Sequence, residues 1–202
     1  MKKLFVSMLA VICFAAFAQQ AVAPRTTTRL RGVLEQVDAN SMKMKERSGE
    51  EITLVLAPNF AIVEVLPTDL SSIKPGSFVG VGAMPRPDGT QEALEVLVFP
   101  EAMRGTGEGH YPWDLQPGST MTNATVAEVA AAPQAQTLRL RYKDGEKTVL
   151  VPAGVPVVTL QPATDRSLLV PGAKVVVTSE LRDGKPTALR ALVGRSGFQP
   201  PM

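Results

Sequence analysis

The feature that most constrains this chain is an internal duplication. Residues 74–81 read Lys-Pro-Gly-Ser-Phe-Val-Gly-Val, and residues 170–177 read Val-Pro-Gly-Ala-Lys-Val-Val-Val. The run Ala-Leu-Glu-Val-Leu-Val at 93–98 is matched in the same way by Ala-Leu-Arg-Ala-Leu-Val at 188–193. Two copies of one unit predict two similar domains. Each copy therefore serves as an internal control for interpreting the other.

The N-terminus has the pattern of an export signal. Two lysines precede an apolar run over residues 4–17, and small residues surround Ala18. This pattern predicts a signal peptide over 1–18, cleaved near Ala18, and a spacer over 19–28. No later apolar run approaches the roughly 20 residues of a membrane helix. We therefore expect a periplasmic or secreted protein with no membrane span after cleavage.

Removal of the signal changes the charge balance. The chain holds 21 Lys and Arg against 19 Asp and Glu, and two of the basic residues lie in the signal, which leaves 21 − 2 = 19 of each sign. A net charge of zero argues against nucleic acid as a partner. Cys13, the only cysteine, is also removed. Without disulfides, the stability of the mature chain must come from its hydrophobic cores.

Each repeat has the periodicity of short strands. Residues alternate between apolar and polar around 30–37, β-branched runs follow, and Asp-Gly pairs at 88–89, 144–145 and 183–184 predict hairpin turns. Before each Pro-Gly, a polar stretch beginning with Thr-Asp predicts one short helical turn. The sequence therefore predicts an all-β protein of two tandem, small, OB-like antiparallel barrels. Their predicted bounds are 29–100 and 122–195.

These motifs together resemble a family of exported bacterial tandem barrel repeats of unknown function. The resemblance is carried by Asp-Leu-x-x-Ile-Lys-Pro-Gly-x-x-Val-x-Val at 69–81 and by Asp-Gly-x-x-x-Ala at 88–93. The second repeat departs from it, with Leu169 in place of the Ile and Val170 in place of the Lys. Relatives often carry the label metal ABC transporter permease. A permease needs several membrane helices, which the sequence does not predict.

Comparison of the two repeats helps to distinguish core residues from candidate site residues, as a pair of methionines illustrates. Met42 and Met44 alternate with lysines in a pattern that could bind copper. Their counterparts in the second repeat are Leu138 and Leu140, and leucine has no metal-binding atom. We therefore predict that both methionines are core residues.

The segment between the repeats has no counterpart. Residues 101–121 contain the only His and the only Trp of the chain, together with several Gly and Pro. A disordered spacer has no need of a large aromatic residue, so we predict an ordered connector over both barrels and a short C-terminal tail over 196–202. The alternatives for the connector are aromatic packing between the barrels or a ligand site. The candidate site residues are His110, Tyr111, Trp113 and Asp114.

Metal binding is a further alternative for the connector. His110, Met103, Met121 and Glu108 could supply N, S and O ligands to copper, and Trp113 could offer its face to Cu(I) or to an organic cation. A single His without Cys is a small ligand set for a metal site.

Catalysis is not predicted. The chain has one imidazole, lacks a Gly-x-Ser-x-Gly motif, and has no phosphate-binding loop that opens a helix. We expect a non-enzymatic binding or scaffolding module of the cell envelope, without a cofactor, whose partner is an envelope protein or polymer. The alternative is a periplasmic copper carrier that uses His110.

Overall fold

The computed structural model describes residues 26–132 and 135–201. The predicted signal peptide and residues 19–25 of the spacer lie outside the described residues. Within these ranges the chain forms twelve strands and three short 3₁₀ turns, which confirms the all-β prediction. None of the described helical segments has the length and apolar character needed to cross a membrane.

The strands, in chain order, are β1 (Thr27–Val37), β2 (Ser41–Glu46), β3 (Glu51–Pro67), β4 (Phe78–Pro85), β5 (Gln91–Val98), β6 (Gly109–Pro112), β7 (Thr120–Ala132), β8 (Ala135–Tyr142), β9 (Gly145–Pro152), β10 (Val157–Pro162), β11 (Lys174–Arg182) and β12 (Lys185–Gly194). The 3₁₀ turns are Leu70–Ser72, Glu101–Met103 and Arg195–Gly197.

Alternation along the strands determines which residues enter the cores. In β2, Met42 and Met44 are fully buried, and in β8 the equivalent Leu138 and Leu140 are fully buried. The prediction that the methionines are core residues is confirmed. The Asp-Gly hairpins also form: at the β11–β12 turn Asp183 has φ 49° and Gly184 has φ 74°. Positive φ at both central residues matches the right-handed twist of the paired strands.

The strands close into two barrels, and each barrel draws strands from both repeats. The first barrel contains β1, β2 and β3 of the first repeat with β11 and β12 of the second. The second barrel contains β7, β8 and β9 of the second repeat with β4 and β5 of the first. The structure thus differs from the predicted tandem barrels over 29–100 and 122–195. The two repeats exchange their last two strands.

The length of β3 accounts for the exchange. This 17-residue strand runs beyond the first barrel and delivers the chain to the second one, where the β4–β5 hairpin completes the wall. The closing contacts are parallel: β3 pairs with β12, and β5 pairs with β9 and, further along, with β10. The remaining neighbours in the barrel walls are antiparallel. This is the strand arrangement of an OB-like barrel, built here from exchanged parts.

The barrels meet around an approximate two-fold axis. The end of β3 pairs with β10, with Glu64 opposite Gln161 and Val65 opposite Leu160. Equivalent positions of the repeats are 96 residues apart here (64 + 96 = 160, 65 + 96 = 161), so these two pairs are equivalent to each other. The junction is therefore the symmetric centre of the molecule.

Three apolar clusters fill the structure. One lies inside each barrel, and a third lies between them around Val65, Leu97, Leu160, Val176 and Leu192. The segments before the two Pro-Gly pairs close the barrels in an exchanged manner as well. Ile73 of the first repeat packs into the second barrel, and Leu168 and Leu169 of the second repeat pack into the first.

The predicted helical turns form in one repeat only. Leu70–Ser72 is a 3₁₀ turn, whereas the corresponding stretch of the second repeat is described as bends and turns. There the Asp165 carboxylate accepts a hydrogen bond from the Ser167 backbone N–H at 2.8 Å, which holds a tight turn instead. In the predicted tail, Phe198 packs against the cluster between the barrels.

Candidate functional site

The connector crosses the junction as an ordered segment. After the turn at Glu101–Met103 it forms β6, which pairs antiparallel with β7 of the second barrel. It then continues through Trp113 and Asp114 to contacts with arginines on β1 of the first barrel. The segment therefore contacts both barrels.

A glycine allows the connector to lie close to β7. Gly107 has φ 58°, and a Cβ there would stand 3.0 Å from Asn123 Nδ2 and 3.3 Å from the Tyr111 hydroxyl oxygen. Asn123 donates to the Thr106 carbonyl oxygen and to the Tyr111 hydroxyl oxygen, both at 3.1 Å. A side chain at 107 would push the connector away from these bonds.

The two faces of β6 separate the predicted site residues. His110 lies opposite Thr122, and its Nδ1 shares a hydrogen bond with Thr122 Oγ1 at 2.9 Å. On this face the His110 ring stacks with Tyr142 at a centroid distance of 6.4 Å. Burial lowers the pKa of His110, and the charge of Lys147 lowers it further. His110 is therefore a mostly neutral side chain packed on the wall of the second barrel.

The other face of β6 points into the junction. Tyr111 lies opposite Met121, and both line a cleft between the barrels. Consecutive side chains of a strand point to opposite faces, so His110 is directed away from the cleft.

Trp113 and Asp114 of the connector contact arginines of the first barrel, Trp113 by a cation–π contact and Asp114 by an ion pair. The guanidinium carbon of Arg29 lies 3.9 Å from the centre of the Trp113 ring, and Arg31 Nη2 donates to Asp114 Oδ1 at 2.9 Å. Arg29 Nη1 also lies 4.0 Å from Asp114 Oδ2. Since Arg29 covers a face of the indole, Trp113 does not present that face to Cu(I) or to an organic cation.

Beneath this contact lies a buried acid that the sequence analysis did not single out. Glu95, on β5, is 1% exposed and packs on the backbone of Gly82, where a Cβ would stand 2.9 Å from Glu95 Cγ. Among the described residues, neither carboxylate oxygen nor the buried Trp113 N–H has a partner in hydrogen-bonding geometry. Burial raises the pKa of Glu95 to about 7. The effect of Asp114 is in the same direction, and Arg31 and Trp113 oppose it.

A comparison of the two repeats could have identified this position from the sequence. Glu95 falls in Ala-Leu-Glu, and the matching residue of Ala-Leu-Arg is Arg190 (190 − 95 = 95, and 188 − 93 = 95 for the preceding alanines). The reversal of charge shows that the two copies use this position differently. Glu95 is buried under the connector, whereas Arg190 lines the open cleft.

The cleft has a volume of about 270 Å³ and is built from both barrels and the connector. Its floor is the apolar cluster between the barrels, and the connector forms one wall. It is lined by Thr27, Arg29, Leu97, Phe99, Met103, Thr106, Gly107, Tyr111, Trp113, Met121, Asn123, Leu160, Val176, Thr178, Arg190 and Leu192. No carboxylate is among these lining residues.

The cations of the cleft lie in one row. Arg29 on β1 is opposite Thr178 on β11, which is opposite Arg190 on β12. Neighbouring strands are about 4.8 Å apart, so the two arginine Cα atoms are separated by about 10 Å. Burial lowers the pKa of Arg190, and the charge of Arg29 lowers it further, although an arginine remains protonated near neutral pH.

The structure does not bring the proposed metal ligands together. Met103 and Met121 line the cleft, His110 lies on the opposite face of β6, and the Glu108 carboxylate accepts a hydrogen bond from the Lys143 backbone N–H at 3.1 Å. Among the described residues, no group of three or more His, Cys, Asp or Glu could hold a metal ion.

Of the four candidate site residues, Tyr111 and Trp113 line the cleft. Asp114 accepts a hydrogen bond from Arg31, and His110 lies on the other face of β6. No protein-family model, curated protein or solved structure matches this chain.

Proposed function

We propose that this protein is an exported, non-enzymatic binding module of the cell envelope, and that its ligand occupies the cleft at the barrel junction. The observation that carries the proposal is the cleft itself. It combines an apolar floor with two arginines and several side-chain hydrogen-bonding groups. A concave apolar site with a few convergent polar groups is the usual form of a ligand pocket.

The filled barrels direct binding to the junction. Apolar side chains pack the interior of both barrels, among them Met42 and Met44 in the first and Leu138 and Leu140 in the second. Small barrels filled in this way leave no room for a ligand inside. The connector, which has no counterpart in either repeat, forms one wall of the cleft. The approximate two-fold symmetry of the molecule is therefore broken at the cleft.

The lining residues favour binding over catalysis. Neither the carboxylate with a strongly raised pKa, Glu95, nor the imidazole of His110 lines the cleft. Without a carboxylate, imidazole or thiol, the lining has no acid and base pair of the usual kind.

Export and the envelope location rest on the sequence of residues 1–18.

The volume of the cleft, just below the roughly 300–1,000 Å³ of typical ligand pockets, favours a small molecule over a protein or polymer partner. The alternative, a copper carrier, is less favoured because His110 and the methionines face in different directions.

A fragment screen observed by ¹H–¹⁵N NMR tests the binding proposal without assuming a ligand class. The library contains anionic, cationic and neutral compounds in equal numbers. We expect bound fragments to shift the amide signals of Leu97, Thr178 and Leu192, which line the cleft.

The matched variants are Thr178→Trp, which fills the cleft, and Thr148→Trp, which adds the same bulk to β9 outside the cleft lining. We expect the first to abolish the shifts and the second to preserve them. Fragments that bind equally well to both variants, or an absence of cleft binders across the library, would overturn the proposal.

A further inference from the structure

The cleft is positively charged without compensation from its own lining. Arg29 and Arg190 line it, and no Asp or Glu does. The carboxylate near Arg29 is Asp114 at 4.0 Å, and Asp114 is bound more closely by Arg31 at 2.9 Å. Among the described residues, no carboxylate lies within 4.0 Å of the Arg190 guanidinium in any salt bridge.

The two repeats differ in charge at the position of Arg190. The position that holds Arg190 in the cleft holds Glu95 in the other copy, and Glu95 is buried under Trp113 and Gly82 instead of lining the cleft. The acid that the duplication would have offered as a counter-charge is therefore sequestered. Arg190 therefore lines the cleft without the negative charge that the other copy has at the equivalent position.

The row geometry is suited to one small anionic group. Arg29 and Arg190 flank Thr178, whose side chain also lines the cleft. With Cα atoms about 10 Å apart, two long flexible guanidinium groups can converge on one carboxylate placed over Thr178. Such charge-assisted hydrogen bonds are stronger than those between neutral groups.

The remaining lining requires an apolar body on the same ligand. The floor is formed by buried aliphatic side chains: Leu97, Leu160, Val176 and Leu192. Phe99 and Met103 pack against the same cluster. The Tyr111 hydroxyl already accepts a hydrogen bond from Asn123, so its own hydrogen is available to a polar group of the ligand.

From these observations we infer that the cleft binds a small amphipathic anion, whose acidic group lies between Arg29 and Arg190 and whose short apolar chain or single ring covers the leucine floor. This inference rests on the proposed function and specifies its ligand class. A volume of about 270 Å³ holds on the order of ten non-hydrogen atoms, at about 30 Å³ for each water-sized group.

Three probes of equal length separate charge from hydrophobicity: octanoate, octanamide and octylammonium. Each is titrated by calorimetry into the full mature chain at low salt, with NMR to locate the bound probe. We expect octanoate to bind at the amides of Leu97, Thr178 and Leu192, octanamide to bind at least about tenfold more weakly, and octylammonium not to bind.

Variants at Arg190 test the same charge requirement by changing the protein instead of the probe. Arg190→Gln should weaken octanoate about tenfold or more and leave octanamide unchanged. Arg190→Glu, which places the residue of the other copy in the cleft, should abolish octanoate binding and admit octylammonium. Arg86→Gln, at an exposed arginine paired with Glu92 and outside the cleft lining, is the control and should change none of the three.

The outcomes distinguish this inference from the proposed function. Octanamide or octylammonium binding in the cleft as tightly as octanoate would overturn the anion inference and support a ligand cleft of another chemistry. Octanoate binding that persists unchanged in Arg190→Glu would overturn it as well. If none of the three probes binds, the anion inference fails, and the fragment screen with Thr178→Trp decides the proposed function separately.

Discussion

The guanidinium of Arg29 lies over the indole of Trp113, with its central carbon 3.9 Å from the ring centre. Arg29 belongs to the first barrel and Trp113 to the connector, which is paired through β6 with the second barrel. The contact is therefore one of the links that fix the barrels relative to each other. It also forms the rim of the cleft.

We expect Trp113→Ala to lower the free energy of unfolding by about 2 kcal/mol or more, through loss of aromatic packing and of the cation–π contact. Urea denaturation followed by far-UV circular dichroism measures this without relying on the fluorescence of the removed residue. Trp113→Phe is the control, because it keeps a ring face for Arg29. A change below about 0.5 kcal/mol, the level of a neutral surface substitution, would contradict a structural role for Trp113.

Glu95 makes the stability depend on pH. Its pKa is raised from 4.5 to about 7 in the folded protein, so between these values the folded state holds the proton more tightly than the unfolded state. The contribution is fully present below pH 4.5 and is lost as the pH rises through 7. It amounts to about 3 kcal/mol.

Denaturation of Glu95→Gln at several pH values measures this contribution. The variant should lack this part of the pH dependence and should be more stable than the wild type at pH 8. Glu92→Gln, at a half-buried position of the same strand, should keep the wild-type slope. Identical pH profiles for the wild type and Glu95→Gln would refute the assignment.

The strand exchange predicts that cutting the connector does not separate the halves. A specific protease site placed between Arg104 and Gly105 lies in an exposed turn. After cleavage one fragment carries β1 to β5 and the other β6 to β12, and both barrels need strands from both fragments. We expect the cut protein to elute as a single species at the volume of the uncut protein, and to separate only in denaturant. Two independent peaks under native conditions would show that each repeat closes alone.

The position of His110 predicts a result for metal binding. Native mass spectrometry after addition of Cu(I), Cu(II) or Zn(II) should show no stoichiometric complex that depends on His110. The reason is that Met103 and Met121 line the cleft, whereas the His110 ring lies on the face of β6 directed away from the cleft. The comparison is between the wild type and His110→Ala. A one-to-one complex that disappears in the variant would restore the carrier hypothesis.

Local patterns of the sequence were sufficient for the strands and the cores, but not for the connectivity. The alternation that buries Met42 and Met44 is the same whichever strands close the barrel, and the β4–β5 hairpin is the same unit whether it packs on its own repeat or on the other. A local sequence pattern therefore does not indicate which repeat the hairpin packs on.

The candidate site was predictable in part for a similar reason. Trp113 and Tyr111 were visible because they lie in the segment without a counterpart. Glu95 and Arg190 could have been found from their reversed charges at equivalent positions. Arg29 pairs with Thr178, and the equivalent pair of the other copy is Met121 with Gly82 (82 + 96 = 178). Its place in the cleft becomes recognisable only when β1 and β11 are paired in space.

The exchange of strands has a consequence for how the chain is made. The Thr28 carbonyl oxygen accepts a hydrogen bond from the hydroxyl of Ser179, which lies 151 residues later. When the first three strands leave the ribosome, the two strands that complete their barrel are still among the last to be synthesised. Nearly the whole chain must therefore exist before the first barrel can close, whereas the strands of the second barrel are complete at Pro152. Closure of the first barrel is expected to be slow because its β1–β11 and β3–β12 contacts join strands that are distant in sequence. During that interval the edges of β1 and β3 that later pair with β11 and β12 are open to pairing with another chain.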